Sequence, residues 1–390
     1  MAKTQDLTSA ISRSINRKSN KEDGHKVAFS LDDKESTSEV DHWVSTGSTV
    51  LDLMISNQED GGLPTGKIAT FYGESGSGKT LIANHVLADC QQMGGLSVMI
   101  DTEAAADFDF MKTIGLDPDG EFLYVQENRL ERIFDYIETV ISKVKEADND
   151  RPVVVVVDSI AGAVPENEYE GDYGKEGYNT DKAIVLSQAM RKITGLVNRE
   201  NVLLLFTNQV RTDPGVMYGD PTTTPGGKAV KFHSSIRVKM RKAKKIKESG
   251  EIVGAEIRPY VTKNRLAPPY RDTSFDLYYN SGIEDYGSWW EPLKNAGVID
   301  HASQGWYYIL NEEEEPLTKD EIPGSSGDDE FKTQEGRFKK KLHDNREFRS
   351  MMYDRLVDAV THEYEDGWVD RSDAEYVSVN GEVDESEGEE

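Results

Sequence analysis

The sequence predicts an α/β protein with a central, mainly parallel sheet covered by helices. Strand and helix patterns alternate from residue 41 to residue 280. Residues 153–157 are five consecutive valines, the composition of a strand buried on both faces. The apolar run at 68–72 leads into a glycine loop and then a helical segment, the order of a strand–loop–helix unit.

Residues 1–40 are polar, with Ala10, Ile11 and Ile15 on one side of a short helix and an isolated strand at 27–31. Such elements have no core of their own and must dock on the main domain or a neighbouring subunit. The helix after the glycine loop runs to about Met93, and a second strand spans 96–100. Leu130, Ile133, Phe134, Ile137, Val140, Ile141 and Val144 recur at helical spacing. A helix at 181–198 and a buried strand at 202–206 follow, then strands at 235–241, 256–263 and 274–279. Beyond Gly282, Trp289, Trp290, Leu293, Trp306, Tyr307 and Tyr308 point to a small aromatic-rich α/β domain with its own packing. The acidic, Gly- and Ser-containing stretch 312–330 reads as a loop, and 346–364 as a last helix. The expected division is an arm at 1–40, a core at 41–281, a small domain at 282–365 and an acidic, disordered tail at 366–390.

A chain of 390 residues has room for one large domain and smaller appendages. No apolar run approaches the ~18 residues that span a bilayer, and the N-terminal segment has no signal-like apolar core. The single cysteine, Cys90, cannot form an intrachain disulfide or a cysteine metal cluster. No membrane partner and a reducing, cytoplasmic compartment are expected. The net charge of −27, from 45 basic and 72 acidic residues, argues by itself against a nucleic-acid partner. The charge is uneven, however: residues 363–390 hold twelve acids and one base, and residues 228–247 nine bases and no acid. A local basic patch still binds phosphate, because salt screens charges beyond ~10 Å. On charge alone that patch is more often a solvated face than a binding site. His233 and His301 lack partner spacing and read as structural, and Cys90 as a small core residue.

Gly73-Glu74-Ser75-Gly76-Ser77-Gly78-Lys79-Thr80 fits the phosphate-binding pattern GxxxxGK[ST], with Leu81 continuing into the helix. Its backbone N–H groups can curl around a β-phosphate, Lys79 adds charge for the β- and γ-phosphates, and Thr80 offers a hydroxyl to Mg²⁺. Asp158 ends the valine strand, where ligands bind in open α/β sheets, and suits the Mg²⁺ shell. Alone it could equally be a helix N-cap. Glu103, just past the strand at 96–100, can orient and deprotonate an attacking water, although its spacing fits a surface acid nearly as well.

Taken together, Val44-Ser45-Thr46-Gly47-Ser48, Gly61-Gly62-Leu63-Pro64, the phosphate loop, residues 100–107 and Ser187-Gln188-Ala189-Met190-Arg191-Lys192 resemble the RecA family of DNA recombinases in order and spacing. The resemblance continues through Thr207-Asn208-Gln209-Val210-Arg211, Gly215-Val216-Met217-Tyr218-Gly219, Gly226-Gly227-Lys228-Ala229-Val230-Lys231-Phe232 and Val261-Thr262-Lys263-Asn264-Arg265. It runs from about residue 40 to 290 and weakens beyond. The long arm and the divergent acidic C-terminal region resemble a phage-encoded member of the UvsX kind more than a housekeeping bacterial copy, which implies the cytoplasm of a bacterial cell, or of the host if the chain is phage-encoded.

The resemblance implies a RecA-like ATPase core, with ATP and Mg²⁺ as ligands. It implies a helical homo-oligomeric filament on single-stranded DNA, pairing with homologous duplex DNA, and loader or single-strand-binding proteins as further partners. Glu103 falls at the catalytic glutamate, and Phe110 at the aromatic that stacks on adenine. Gln209 falls at the γ-phosphate sensor, and Lys263 and Arg265 at an element reaching the ATP of the adjacent subunit. The arm at 1–40 would dock on the neighbouring core. Arg191, Arg211, Gly226, Gly227 and Lys228 would hold DNA phosphates, with Met217 and Tyr218 wedging or stacking between bases. Two loops, 166–181 and 211–228, would face DNA, and the tail would compete with DNA for them. Thr212-Asp213-Pro214 replaces the basic and aliphatic residues expected after Arg211, and the first loop is acidic. An arginine expected near Ile184 is absent, with Lys182 as its substitute. A hexameric helicase of similar core would need a longer N-terminal domain, and a regulatory ATP-binding module would not need Glu103 and Gln209.

Overall fold

The computed structural model describes residues 2–22, 28, 40–147, 150–171, 178–212, 222–223, 225–226 and 228–362. The chain forms two units, Met1–Asp41 and His42–Glu390. In the first, helix α1 (Ala2–Glu22) is longer than the short helix expected. Leu7, Ile11 and Ile15 lie four residues apart on it and are 62, 51 and 45% exposed, an apolar stripe at helical spacing. Ser12 Oγ and Asn16 Nδ2 donate to the Ala28 carbonyl at 3.0 and 2.8 Å, and Ala28 N–H donates to Asn16 Oδ1 at 2.8 Å. The strand expected at 27–31 lies outside the described residues, Ala28 excepted.

The second unit is built on a ten-stranded sheet among the described residues. In chain order its elements are α2 (Thr49–Ser56), β1 (Ile68–Gly73), α3 (Lys79–Gln92), β2 (Leu96–Asp101), α4 (Phe108–Thr113), β3 (Phe122–Gln126) and α5 (Leu130–Glu146). They continue with β4 (Val153–Asp158), α6 (Tyr178–Arg199), β5 (Val202–Gln209), α7 (Lys228–His233), β6 (Ile236–Glu248), β7 (Glu251–Asn264), β8 (Phe275–Tyr278) and β9 (Gly282–Glu284). The spatial order is β9-β8-β7-β6-β1-β5-β4-β2-β3, with Arg271–Asp272 also pairing on β7. The pairs from β6 through β3 are parallel, and those from β6 to β9 antiparallel.

Alternation along β4 explains how one valine run serves two cores. Val153, Val155 and Val157 face the cluster that holds Ile133, Phe134 and Ile137 of α5 and Leu186, Met190 and Ile193 of α6. Val154 and Val156 face the opposite cluster, with Ile82, Val86 and Leu87 of α3. All five valines are at most 1% exposed, and each such burial stabilises the fold by roughly 1.5–3 kcal/mol.

The β6–β7 hairpin is longer than expected, because its two strands pair from Ile236↔Asn264 out to Glu248↔Glu251. Pairing of β6 with β1 stops at Met240↔Gly73, so beyond Met240 β6 has only β7 beside it. This part of β6 is an edge of the sheet, with β7 paired on its other side to β8 over Gly254–Ile257, and it carries Arg241, Lys242, Lys244, Lys245 and Lys247, with Glu256 bound to Lys244 at 3.2 Å and to Arg258 at 2.8 Å.

The C-terminal part contains α8 (Trp290–Asn295), a small sheet of β10 (Ile299–Ser303), β11 (Trp306–Ile309) and β12 (Lys332–Thr333), then α9 (Glu335–Asp344) and α10 (Arg346–Val360). Trp289 and Trp290 are 2 and 3% exposed and join Phe338 and Phe348 in the same apolar cluster as α2 and α3. The last helix ends at Val360 rather than 364. Thr361 turns extended (φ −79°, ψ 149°), and Arg271 donates to the Val360 carbonyl, satisfying a helix-end acceptor. His362 N–H donates to Asn57 Oδ1 and Asn57 Nδ2 to the His362 carbonyl, both at 2.8 Å, which pins the chain to the end of α2.

His85 on α3 wedges between two glycine turns. Gly47 and Gly282 both have φ of +86°, and a Cβ there would lie 2.9 Å from His85 Nδ1 and 2.6 Å from Nε2 respectively. Ile283 N–H donates to Nε2 at 3.3 Å, so the ring must stay neutral, and burial pushes its pKa down to about 4. Between that value and the unfolded value of about 6.5 the unfolded chain binds more protons. Stability present above pH ~6.5 is therefore lost as pH falls towards 4, by on the order of 2 kcal/mol from this ring. Urea unfolding at pH 7 and pH 4.5 should show a smaller acid loss for His85→Gln than for the native chain. An equal loss in both would assign the acid sensitivity elsewhere.

Candidate nucleotide and DNA site

Parallel pairing brings four strand ends to one edge of the sheet. Gly73 of β1 pairs with Gln209 of β5, and Asp101 of β2 with Asp158 of β4. The phosphate loop, the Glu103 loop, Asp158 and Gln209 thus share the carboxyl edge, where open parallel sheets bind ligands.

The loop leaves β1 at Gly73 and enters α3 through Gly78, the N-cap residue, at φ +85°. Only glycine takes that conformation without strain, and it turns successive N–H groups inward. Glu74, Ser75 and Gly76 form the exposed rim, Ser77 is buried, and Leu81 is half-buried behind. Lys79 is 7% exposed, and its Nζ donates to the Glu74 carbonyl at 2.7 Å and to Ser77 Oγ at 3.4 Å. Burial pushes the ammonium pKa down, while the carboxylates of Asp158 and Glu103 pull it back up. A cation so placed has only neutral acceptors in hand and gains from a phosphate.

Asp158 accepts from the Thr207 hydroxyl and from Thr80. Burial raises its pKa, the Thr207 and Thr80 hydrogen bonds oppose this, and the charges of Glu103 and Asp101 add to the rise. One hydroxyl and one carboxylate in contact are hard oxygen donors. Among the described residues no group of three or more His, Cys, Asp or Glu could hold a metal. The pair suits a cation that takes most of its oxygens from phosphate and water, as Mg²⁺ does.

Asp101 escaped the sequence reading. It is 3% exposed and accepts from the N–H groups of Glu103, Ala104, Ala105 and Ala106 at 2.8–3.0 Å, and from the Tyr124 hydroxyl at 2.9 Å. These bonds fold the loop that carries Glu103, with Ala104 at φ +54°. The available signal was an Asp at a strand end before small residues, the composition of an Asx turn. Glu103 itself is exposed, and its Oε1 accepts from Ser159 Oγ at 2.9 Å and from Gln209 Nε2 at 3.4 Å. Phe110 on α4 is 8% exposed yet belongs to neither apolar cluster, whereas the adjacent Met111 is in the core.

Lys263 and Arg265 are not at this edge. Lys263 pairs with Arg237, which pairs with Thr70, whereas the phosphate loop begins after Gly73. Roughly 10 Å along the strands and 10 Å across them separate Lys263 from Gly73, beyond the reach of a lysine. Lys263 Nζ donates to the carbonyls of Lys231 and Phe232 at 3.0 Å, and Arg265 Nη2 to that of Phe232 at 3.3 Å. Burial and the charges of Arg265, Arg237 and Lys231 lower the Lys263 pKa to about 8. Neither cation has an acidic partner among the described residues.

Arg191 is exposed on α6 and donates to Ser187 Oγ at 3.1 Å, and exposed Lys228 opens α7. Gly226 lies in a turn, and Arg211–Thr212 pairs antiparallel with Thr222–Thr223, closing the base of the second loop. Met217, Tyr218 and Gly227 lie outside the described residues, as does the side chain of Arg211. Lys182, the expected substitute for the arginine missing near Ile184, is 8% exposed and donates to the carbonyls of Ala161 and Ala163 at 3.1 and 2.5 Å.

Residues 9–284 match the family model of the RecA N-terminal domain. The chain is 41% identical over 245 residues to Protein RecA of Symbiobacterium thermophilum, covering 63% of this chain and 67% of that protein. It is 40% identical over 265 residues to Protein RecA of Aquifex pyrophilus, covering 68% and 72%. The corresponding values for Protein RecA of Heliobacterium modesticaldum are 38% over 264 residues, 68% and 73%.

Removing the Asp101 carboxylate strands several N–H donors at once. Asp101→Ala should lower unfolding stability by about 1–3 kcal/mol, the cost of leaving such groups unpaired. Denaturant titration measures this, and a change within ~0.5 kcal/mol, that of an ordinary surface substitution, would contradict the role given to Asp101.

Proposed function

The chain belongs to the RecA family of DNA recombinases, and on that basis we propose that it hydrolyses ATP at the carboxyl edge of its sheet to drive pairing and strand exchange between single-stranded and homologous duplex DNA. The observation that carries this reading is the meeting of Lys79, Thr80–Asp158 and Glu103–Gln209 at one edge, from which the chain passes directly through Gln209 to Arg211.

In the proposed reaction the loop from Gly73 to Thr80 cradles the phosphates of ATP, and Lys79 exchanges its carbonyl partner for phosphate oxygen. Glu103 takes a proton from the attacking water, and Phe110 stacks against the base. Mg²⁺ bound beside Thr80 and Asp158 would neutralise phosphate charge. Gln209 stands between Glu103 and the second DNA loop, so its choice of partner couples hydrolysis to DNA.

Lys263 and Arg265 act on the ATP of a neighbouring subunit. They sit on the opposite edge from their own phosphate loop, hold only carbonyls, and Lys263 is desolvated enough to gain from an anion. The same logic makes the apolar stripe of α1 a contact for the adjacent core, with the four-part division of the chain proposed above. Arg191, Arg211 and Lys228 hold DNA phosphates without reading bases, and the acidic tail opposes them.

Mixing two inactive variants tests the shared site. Lys79→Ala lacks the phosphate-binding part, and the double variant Lys263→Ala/Arg265→Ala lacks the cations supplied in trans. Some mixed interfaces regain both parts, so DNA-dependent phosphate release should reappear on mixing. Co-assembly without any recovery at any ratio would overturn the shared site.

A further inference from the structure

Glu103 lies on an exposed loop, yet one of its oxygens is held twice. Ser159 Oγ and Gln209 Nε2 both donate to Oε1, at 2.9 and 3.4 Å, which leaves Oε2 without a partner among the described residues. The two donors are mounted differently. Ser159 is 2% exposed and locked to the Glu103 loop through Thr102: its N–H donates to Thr102 Oγ1 at 3.0 Å, and that hydroxyl donates to the Ser159 carbonyl at 2.9 Å. Gly162 N–H donates to Ser159 Oγ at 3.4 Å, which turns the single hydroxyl proton towards Glu103. Gly162 also walls the glutamate, since a Cβ there would lie 3.1 Å from Glu103 Cγ. Gln209, by contrast, is half-buried at the end of β5 and continues into the DNA loop.

We propose that Ser159 is the positioning residue for Glu103, the fixed mount that keeps Oε2 turned to the attacking water while Gln209 is free to exchange partners. Gln209 must leave Glu103 if it is to answer the terminal phosphate and the DNA loop. Without a second donor, its departure would release the carboxylate at the moment the base is needed. Ser159 removes that conflict, because its backbone is tied to Thr102 and its hydroxyl is held by Gly162 N–H rather than by the DNA loop. The inference rests on reading Glu103 as the general base.

The test is DNA-stimulated phosphate release by the full chain carrying Ser159→Ala, or Ser159→Cys, which keeps the volume with a weaker donor should the alanine variant fold poorly. One hydrogen bond to a charged group corresponds to a roughly tenfold fall in kcat. KM for ATP should stay within about twofold, because Ser159 touches no proposed phosphate contact. In a Glu103→Gln background, itself about a hundred-fold slower, Ser159→Ala should cost nothing further, whereas a general structural role would slow both backgrounds by the same factor. An unchanged kcat, a change confined to KM, or an equal loss in both backgrounds would overturn the positioning role alone. Near-normal turnover by Glu103→Gln would remove the base and the proposal with it.

Discussion

The parallel register of the central strands is the constraint on which the site depends. Asp101 stands level with Asp158, and Gly73 with Gln209, because β2, β4, β5 and β1 run in one direction. A slip of one residue in β4 would exchange its two valine faces and send Asp158 to the other side of the sheet. Both faces of β4 are buried, so such a slip would displace two cores at once. Packing that has nothing to do with nucleotide therefore sets the spacing of the chemical groups.

Bringing acids to one low-dielectric edge is costly unless each is given donors. Asp101 receives four backbone N–H groups and a tyrosine hydroxyl, and Asp158 receives Thr207 and Thr80. Lys79 supplies the positive charge between Asp158 and Glu103. The outcome is a division of roles among similar residues. Asp101 has become part of the backbone scaffold, Asp158 lies beside a hydroxyl fit for a cation, and Glu103 remains exposed with one oxygen held. The antiparallel half of the sheet performs a different task. By running β7 back against β6 it delivers Lys263 and Arg265 to the far edge, where their own phosphate loop is out of reach. In the proposed filament that geometry makes each site depend on two chains.

Much of this was legible in the residues. The valine run of β4 and the apolar helical spacing of α5 named their elements, because burial on both faces, or on one stripe, leaves a pattern that composition alone reveals. The phosphate loop was legible because glycine and lysine are needed there at fixed spacing. Asp101 and Ser159 were not, because their roles arise from backbone N–H groups and a neighbouring strand end that only the fold brings together. Lys182 was opaque for a related reason: at the start of a helix beside the first loop its ammonium has no partner visible in the sequence, and only the packed structure shows it bound to the Ala161 and Ala163 carbonyls. The last helix was read four residues too long because its end is set by Arg271 and Asn57, remote in sequence.

The central claim is that ATP chemistry and DNA binding share one edge, joined through Gln209. The most direct test is steady-state phosphate release by the full chain with Mg²⁺ and ATP, measured with and without single-stranded DNA of mixed sequence. Coupling through Gln209 predicts that DNA raises the rate at least about tenfold, the effect of ~1.4 kcal/mol of added transition-state stabilisation, and that the Gln209→Ala variant binds DNA but loses the increase. Equal rates with and without DNA, under conditions where DNA binding is demonstrated, would contradict it.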